Sequence, residues 1–138
     1  MDLKLELVLV PVSDVDAAKA FYSERAGFQV HVDHQAGDTF RVVQLDPPGS
    51  ACSIAVGIGI TDAAPGSVRG LHLVVTDIVE ARAELTARGV EVSEIRHMSA
   101  TGWQPGPHPD RADYASFADF SDPDGNTWVL QERDYRAA

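Results

Sequence analysis

Cysteine is almost absent. Only Cys52 occurs in 138 residues, so no internal disulfide is expected and the usage fits a reducing cytoplasm. Long apolar runs are missing too, and no segment approaches the ~20 residues of a membrane helix. At the N-terminus, MDLKLELVLVPVSD alternates charged and apolar residues. It has neither a basic opening nor an unbroken apolar stretch, so no secretory signal is expected. Basic residues are scarce, 11 against 21 acidic, for a net charge of −10. Nucleic acid and anionic membranes are bound through basic patches, so neither is an expected partner. The charge favours a cationic ligand, with solubility alone as the plainer account.

What is present describes an ordinary globular chain. The hydrophobic share of 44% and charged share of 23% exclude disorder. The length suits one compact domain over residues 1–138. Within it the chain repeats itself. LELVLVPVSDVDAAKAFYSERAGFQV (5–30) resembles GLHLVVTDIVEARAELTARGVEV (70–92). In each, a β-rich run ends at an aspartate, Asp14 or Asp77, and an alanine-rich helical segment follows. Ser13 or Asp14 caps the first helix and Thr76 or Asp77 the second. Gly27 and Gly89 suit the left-handed position just past each helix. Further on, SDPDGNTWVLQE (121–132) echoes LDPPGSACSIAV (45–56): a DPxG turn, then a strand. The strands are expected at about 40–45 and 51–56, and again at 115–120 and 127–132. The sum is two β-α-β-β-β modules, about 1–62 and 68–134, joined by TDAAPGS at 61–67.

Strand 3–12 is apolar on both faces, with Leu3, Leu5, Leu7 and Leu9 on one and Val8, Val10 and Val12 on the other. Such a strand is expected to be covered on both sides. The architecture is α+β: a curved mixed sheet, helices outside, a cavity inside.

The paired modules, Phe21-Tyr22 and Gly27-Phe28 around the first helix, and DPDGN before the last strand together resemble the vicinal oxygen chelate superfamily. That group includes glyoxalase I, extradiol dioxygenases and the bleomycin-resistance proteins. The resemblance implies a cup that in many members holds one divalent metal, with His, Gln or Glu ligands on four strands. It places those ligands seven residues before each helix-opening aspartate and seven after each DPxG aspartate. Here the positions carry Leu7, Gly70, Ser53 and Val129, so the usual metal is not expected. Glu6 and Glu132 lie nearby but point to the opposite face. The resemblance also implies a homodimer.

Without metal, the cup-facing list is Leu7, Leu9, Ser53, Ala55, Gly70, His72, Val74, Thr127, Val129 and Gln131. It is an apolar lining with a few hydrogen-bonding groups, as in small-molecule pockets; its plainer alternative is a filled core. His72 is the candidate catalytic residue, with burial by hydrogen bonding as the competing account. His31 and His34 have a loose metal spacing but read as solvated, and nothing fixes the roles of His97 and His108. Segment 96–114, rich in Pro and Gly, reads as a lid, a binding loop or disorder. In it Trp103 either stacks on a flat ligand or plugs the loop. Trp128, out of phase with Val129, belongs to the core.

Three functions compete. The first is a metal-free protein that sequesters a hydrophobic, possibly cationic, small molecule. The second is a glyoxalase-like lyase, isomerase or dioxygenase with atypical metal ligands or acid–base work at His72, which no paired carboxylates or nucleophile–base pair support. The third is a sheet that serves only as a subunit interface. The first is preferred.

Overall fold

Aspartate opens both helices. Asp14 accepts a hydrogen bond from the Ala17 backbone N–H (3.0 Å), and Asp77 accepts one from Glu80 (3.1 Å). Each caps the first turn of its helix, so of the paired candidates it is the aspartates that do the work. At the other ends Gly27 and Gly89 take φ of 81° and 94°, the left-handed geometry that closes a helix at little cost for glycine.

The computed structural model describes residues 1–137. The chain forms two compact units: residues 1–68 with 122–126, and residues 69–121 with those from 127 onward. In the first, β1 (Leu7–Leu9) leads to α1 (Val15–Ala20) and a π-helical turn (Phe21–Arg25). Three strands follow: β2 (Gln29–Ala36), β3 (Phe40–Asp46) and β4 (Ser53–Ile58). The sheet order is β1-β4-β3-β2, with β1 parallel to β4 and the other pairs antiparallel. Val43, Leu45, Ile54 and Val56 are buried on one face together with Val15, Ala18, Phe21 and Tyr22 of the helical segment. The alternation of these strand residues decides which face packs.

Charge fastens this helix to the sheet as well. Asp33 of β2 accepts from Lys19 (2.7 Å) and twice from Arg41 (3.1 and 3.0 Å), and Arg41 also reaches Asp16 (2.7 Å). The Arg41 and Lys19 hydrogen bonds hold the Asp33 carboxyl at about 2, against an ordinary 3.8. A depressed carboxylate stabilises the fold above its unfolded value and loses that contribution as pH falls through the folded one. The wild-type protein is therefore expected to lose stability between pH 3.8 and about 2 more steeply than Arg41→Gln. Thermal unfolding of both proteins across that window checks this, and parallel acid limbs would refute it.

In the second unit, β5 (Leu71–Val75) and α2 (Ile78–Ala87) precede β6 (Arg96–Ser99), β7 (Gly102–Pro105), β8 (Ser116–Ser121) and β9 (Thr127–Glu132). The order is β5-β9-β8-β6-β7, again with its first pair parallel. Trp128 is buried and stacks on Phe120 with centroids 6.1 Å apart. Ala118 and Leu130 complete that face, and α2 lies against β8 and β9.

The two halves thus share α+β architecture, the second repeating the strand order of the first with β7 added at its edge, but three expectations need correction. The first strand is regular only over Leu7–Leu9, and Leu3, Leu5, Leu7 and Leu9 are exposed rather than covered. Segment 96–114 is not one irregular loop. Its first part is the β6–β7 hairpin, because Met98–Trp103 and Arg96–Pro105 pair across a tight turn at Ala100–Thr101. The DPxG turns also differ by one residue. Gly125 N–H donates to the Asp122 carbonyl, whereas in the first turn Ser50 N–H donates to that of Pro47. Asp46 therefore stays in its strand while Asp122 turns inward.

Candidate functional site

Strand pairing decides which predicted residues share a surface. In the first unit Leu9 pairs with Ala55, Ala55 with Gln44 and Gln44 with Val32. These four form one row on the face away from α1. Leu7 pairs with Ser53 in the next row. In the second unit His72 pairs with Val129 and Val129 with Asp119, while Val74 pairs with Gln131 and Gln131 with Phe117. Thr127 lies on the same face, two residues before Val129. Thus Leu7, Leu9, Ser53 and Ala55 share the face of one sheet away from the helix, with Ser53 and Ala55 buried there and the two leucines exposed, and His72, Val74, Thr127, Val129 and Gln131 share that of the other.

His72 is exposed, and its Nδ1 lies 2.7 Å from the Gly70 carbonyl. Of the two accounts of His72, the buried one is not met: β5 is an edge strand and the ring stands on its open side. That hydrogen bond fixes the ring and directs Nε2 away from Gly70.

The second open face carries a feature that the sequence reading placed in a loop. Trp103 of β7 is 50% exposed and meets Phe117 edge-on, with centroids 5.5 Å apart. The Arg96 guanidinium lies 5.0 Å from the Trp103 ring centre and 6.0 Å from that of Phe117. Asp119 holds the same guanidinium at two points, 2.8 and 3.3 Å. A planar cation fixed between two rings and a carboxylate leaves the indole few ways to turn. The result is a rigid, half-exposed aromatic surface on a strand. Arg96, Phe117 and Asp119 were missed, although the alternation of Phe117 and Asp119 along SFADFS carried the signal.

The first open face holds a polar group. Ser53 Oγ donates to Asp46 Oδ1 (2.5 Å), and His31 Nδ1 lies 3.0 Å from Asp46 Oδ2. The Ser53 hydrogen bond, with a smaller contribution from His31, lowers the Asp46 carboxyl below its ordinary range. His34 instead contacts Phe40 edge-on at 6.3 Å. His97 is buried with Nδ1 2.8 Å from the Gly106 carbonyl, and His108 Nδ1 accepts from the Asp110 backbone N–H (3.1 Å). Both brace the chain after the hairpin.

The four positions where the resemblance would place a metal fit one poorly. Leu7 and Val129 offer no donor atoms, Gly70 has no side chain, and the Ser53 hydroxyl is committed to Asp46. Glu132 points to the buried face, where it accepts from the Ile78 N–H (2.9 Å). Among the described residues no three His, Cys, Asp or Glu side chains converge as a metal site.

Comparison with known proteins agrees with this architecture. The family profile of the Glyoxalase/Bleomycin resistance protein/Dioxygenase superfamily matches residues 4–130. The chain belongs to that superfamily. Among solved structures it is similar to TnmS3, an antibiotic binding protein from Streptomyces sp. CB03234, with 35% identity and a TM-score of 0.72 over 95% of this chain and 96% of that one. A glyoxalase/bleomycin resistance protein from the same organism is 36% identical, with a TM-score of 0.70 over 94% and 100% of the two chains. A superfamily member from Sphaerobacter thermophilus DSM 20745 is 30% identical, with a TM-score of 0.73 over 96% and 98%. The superfamily's sheets are thus present here.

Proposed function

We propose that this superfamily member binds a small, flat, hydrophobic molecule of the antibiotic type and sequesters it without a divalent metal. The observation that carries the reading is the Trp103 surface: a half-exposed indole held against Phe117 and braced by Arg96. Exposing a large aromatic costs hydrophobic free energy, and holding it rigid as well suits a ligand that stacks. The likeness to an antibiotic binding protein at 35% identity supports the same class of ligand. The net charge of −10 draws a cationic ligand through its long-range field.

The protein works as a homodimer in this reading and, as the lone Cys52 suits, in the cytoplasm. β1 is an edge strand, and Leu3 before it is 87% exposed, an arrangement that favours a second chain. Sedimentation showing a monomer at working concentration would remove that part. The binding reading is tested by titrating proflavine, a planar cation, against wild type and Trp103→Ala, where only the wild type should bind. The glyoxalase-type enzyme keeps His72 as its candidate catalytic residue, but no partner group beside it favours that reading.

A further inference from the structure

The open face of the first sheet contains a histidine that sits at a break in strand register. Pairing between β2 and β3 is regular from Val32 to Ala36 and again at Gln29 and Val30, but slips at His31. Gln29 pairs with Asp46, and regular alternation from Gln29 places His31 on the same face as Asp46. The β-bulge then keeps Val32, opposite Gln44, on that face beside the ring instead of letting it alternate away.

From this geometry we infer that His31 and Asp46 form a proton-accepting dyad that takes a weakly acidic hydroxyl of a ligand, a phenol or an enol. Asp46 stays ionised and has both oxygens engaged, one by Ser53 and one by His31. A carboxylate accepting at Nδ1 fixes the imidazole as the Nδ1–H tautomer, which leaves the basic lone pair on Nε2. Among the described residues Nε2 finds no hydrogen-bond partner, and the ring is 57% exposed on the open face. Leu7, Leu9 and Val32 stand exposed on that same face, so the acceptor sits at the edge of an apolar patch. Such a patch binds the carbon skeleton of an aromatic alcohol and excludes water from its hydroxyl. The ligand O–H proton moves to Nε2, its electron pair stays on the ligand oxygen, and the imidazolium is compensated by Asp46. No other reactant is needed. Ser53 has a positioning role, holding the carboxylate in the plane that His31 meets.

The inference is independent of the Trp103 surface, which lies in the other unit, and its test is separate. The probe is 4-nitrophenol, whose phenol and phenolate absorb at different wavelengths, buffered below the pH at which the free probe ionises. Bound to wild type it should show the phenolate band. In His31→Gln the band should vanish and affinity fall about tenfold, the worth of one hydrogen bond to a charged group. In Asp46→Asn the band should weaken, and 4-nitroanisole, which has no acidic proton, should not distinguish wild type from His31→Gln. Imidazole nitrogen NMR of the free protein should report His31 as the Nδ1–H tautomer. An Nε2–H tautomer, a bound probe that stays neutral, or His31 signals unmoved at saturating 4-nitrophenol would each overturn the inference.

Discussion

An Arg111→Ala variant is expected to lose about 3–5 kcal/mol of unfolding free energy, the usual cost of leaving one member of a buried ion pair alone. The partner left alone is Glu132, 0% exposed at the end of β9. It accepts from Arg111 at 2.8 and 2.6 Å and from the first backbone N–H of α2 at 2.9 Å. Arg111 also reaches Asp77, the cap of that helix, and lies 3.7 Å from the Tyr135 ring centre. One guanidinium therefore ties a strand end, a helix start and the segment after the hairpin together. Arg111 sits at φ 50°, so Arg111→Gly serves as a control that relieves the backbone but still removes the pair. Both variants should be destabilised in urea unfolding, and a joint Arg111→Met, Glu132→Met replacement should recover part of the loss. A change within about 0.5 kcal/mol for Arg111→Ala, the usual range for a surface substitution, would show that the pair is not stabilising this unit.

The second large effect is expected at Asp122, in the first unit. Its carboxylate is buried and accepts four hydrogen bonds: from Tyr22 Oη (2.7 Å), Asn126 Nδ2 (2.8 Å), and the N–H groups of Asp124 (2.9 Å) and Asn126 (3.0 Å). Asn126 in turn donates to the Pro11 carbonyl (2.8 Å). Asp122→Ala strands several buried donors and should cost about 3 kcal/mol or more, since each unsatisfied group costs about 1–3. Asp122→Asn should also destabilise, because its amide must turn an N–H toward donors on one side or the other. Tyr22→Phe removes a single bond and should cost only about 1 kcal/mol. Calorimetry of the three orders them, and equal losses for Asn and Phe would contradict this account.

The two aspartates of the DPxG repeats show where sequence reading stops. Asp46 and Asp122 are equivalent by motif, and the strands after them were legible because Ser53–Ile58 and Thr127–Glu132 are β-formers behind turn residues. The aspartates nonetheless do different work, because the turns close one residue apart. Hydrogen-bond register inside a turn leaves no mark in composition. Alternation fixed the shared face of His72, Val74, Val129 and Gln131, since a strand offers only two faces. The contact of His31 with Asp46 was not foreseen, because the two residues meet across neighbouring strands and are fifteen apart in the chain. The hairpin at 96–105 was hidden for another reason. Pro105 sits on the outermost strand, β7, where a missing N–H does no harm. The same proline reads in sequence as a loop.

We propose that Trp103 is part of a metal-free binding surface for a flat molecule. This is most directly tested by titrating EDTA-treated protein with proflavine while following tryptophan fluorescence and melting temperature. Trp103 is half exposed and Trp128 only 2% exposed, so a ligand stacking on the open face should quench one and spare the other. The predicted result is saturable quenching that Trp103→Ala abolishes, with a rise in melting temperature of about 8 °C at a hundredfold excess over Kd. Bleomycin and acridone, run beside it, report how far charge and shape matter. If none of the three quenches or stabilises the wild type, or if stabilisation appears only after a divalent metal is added, the account is contradicted.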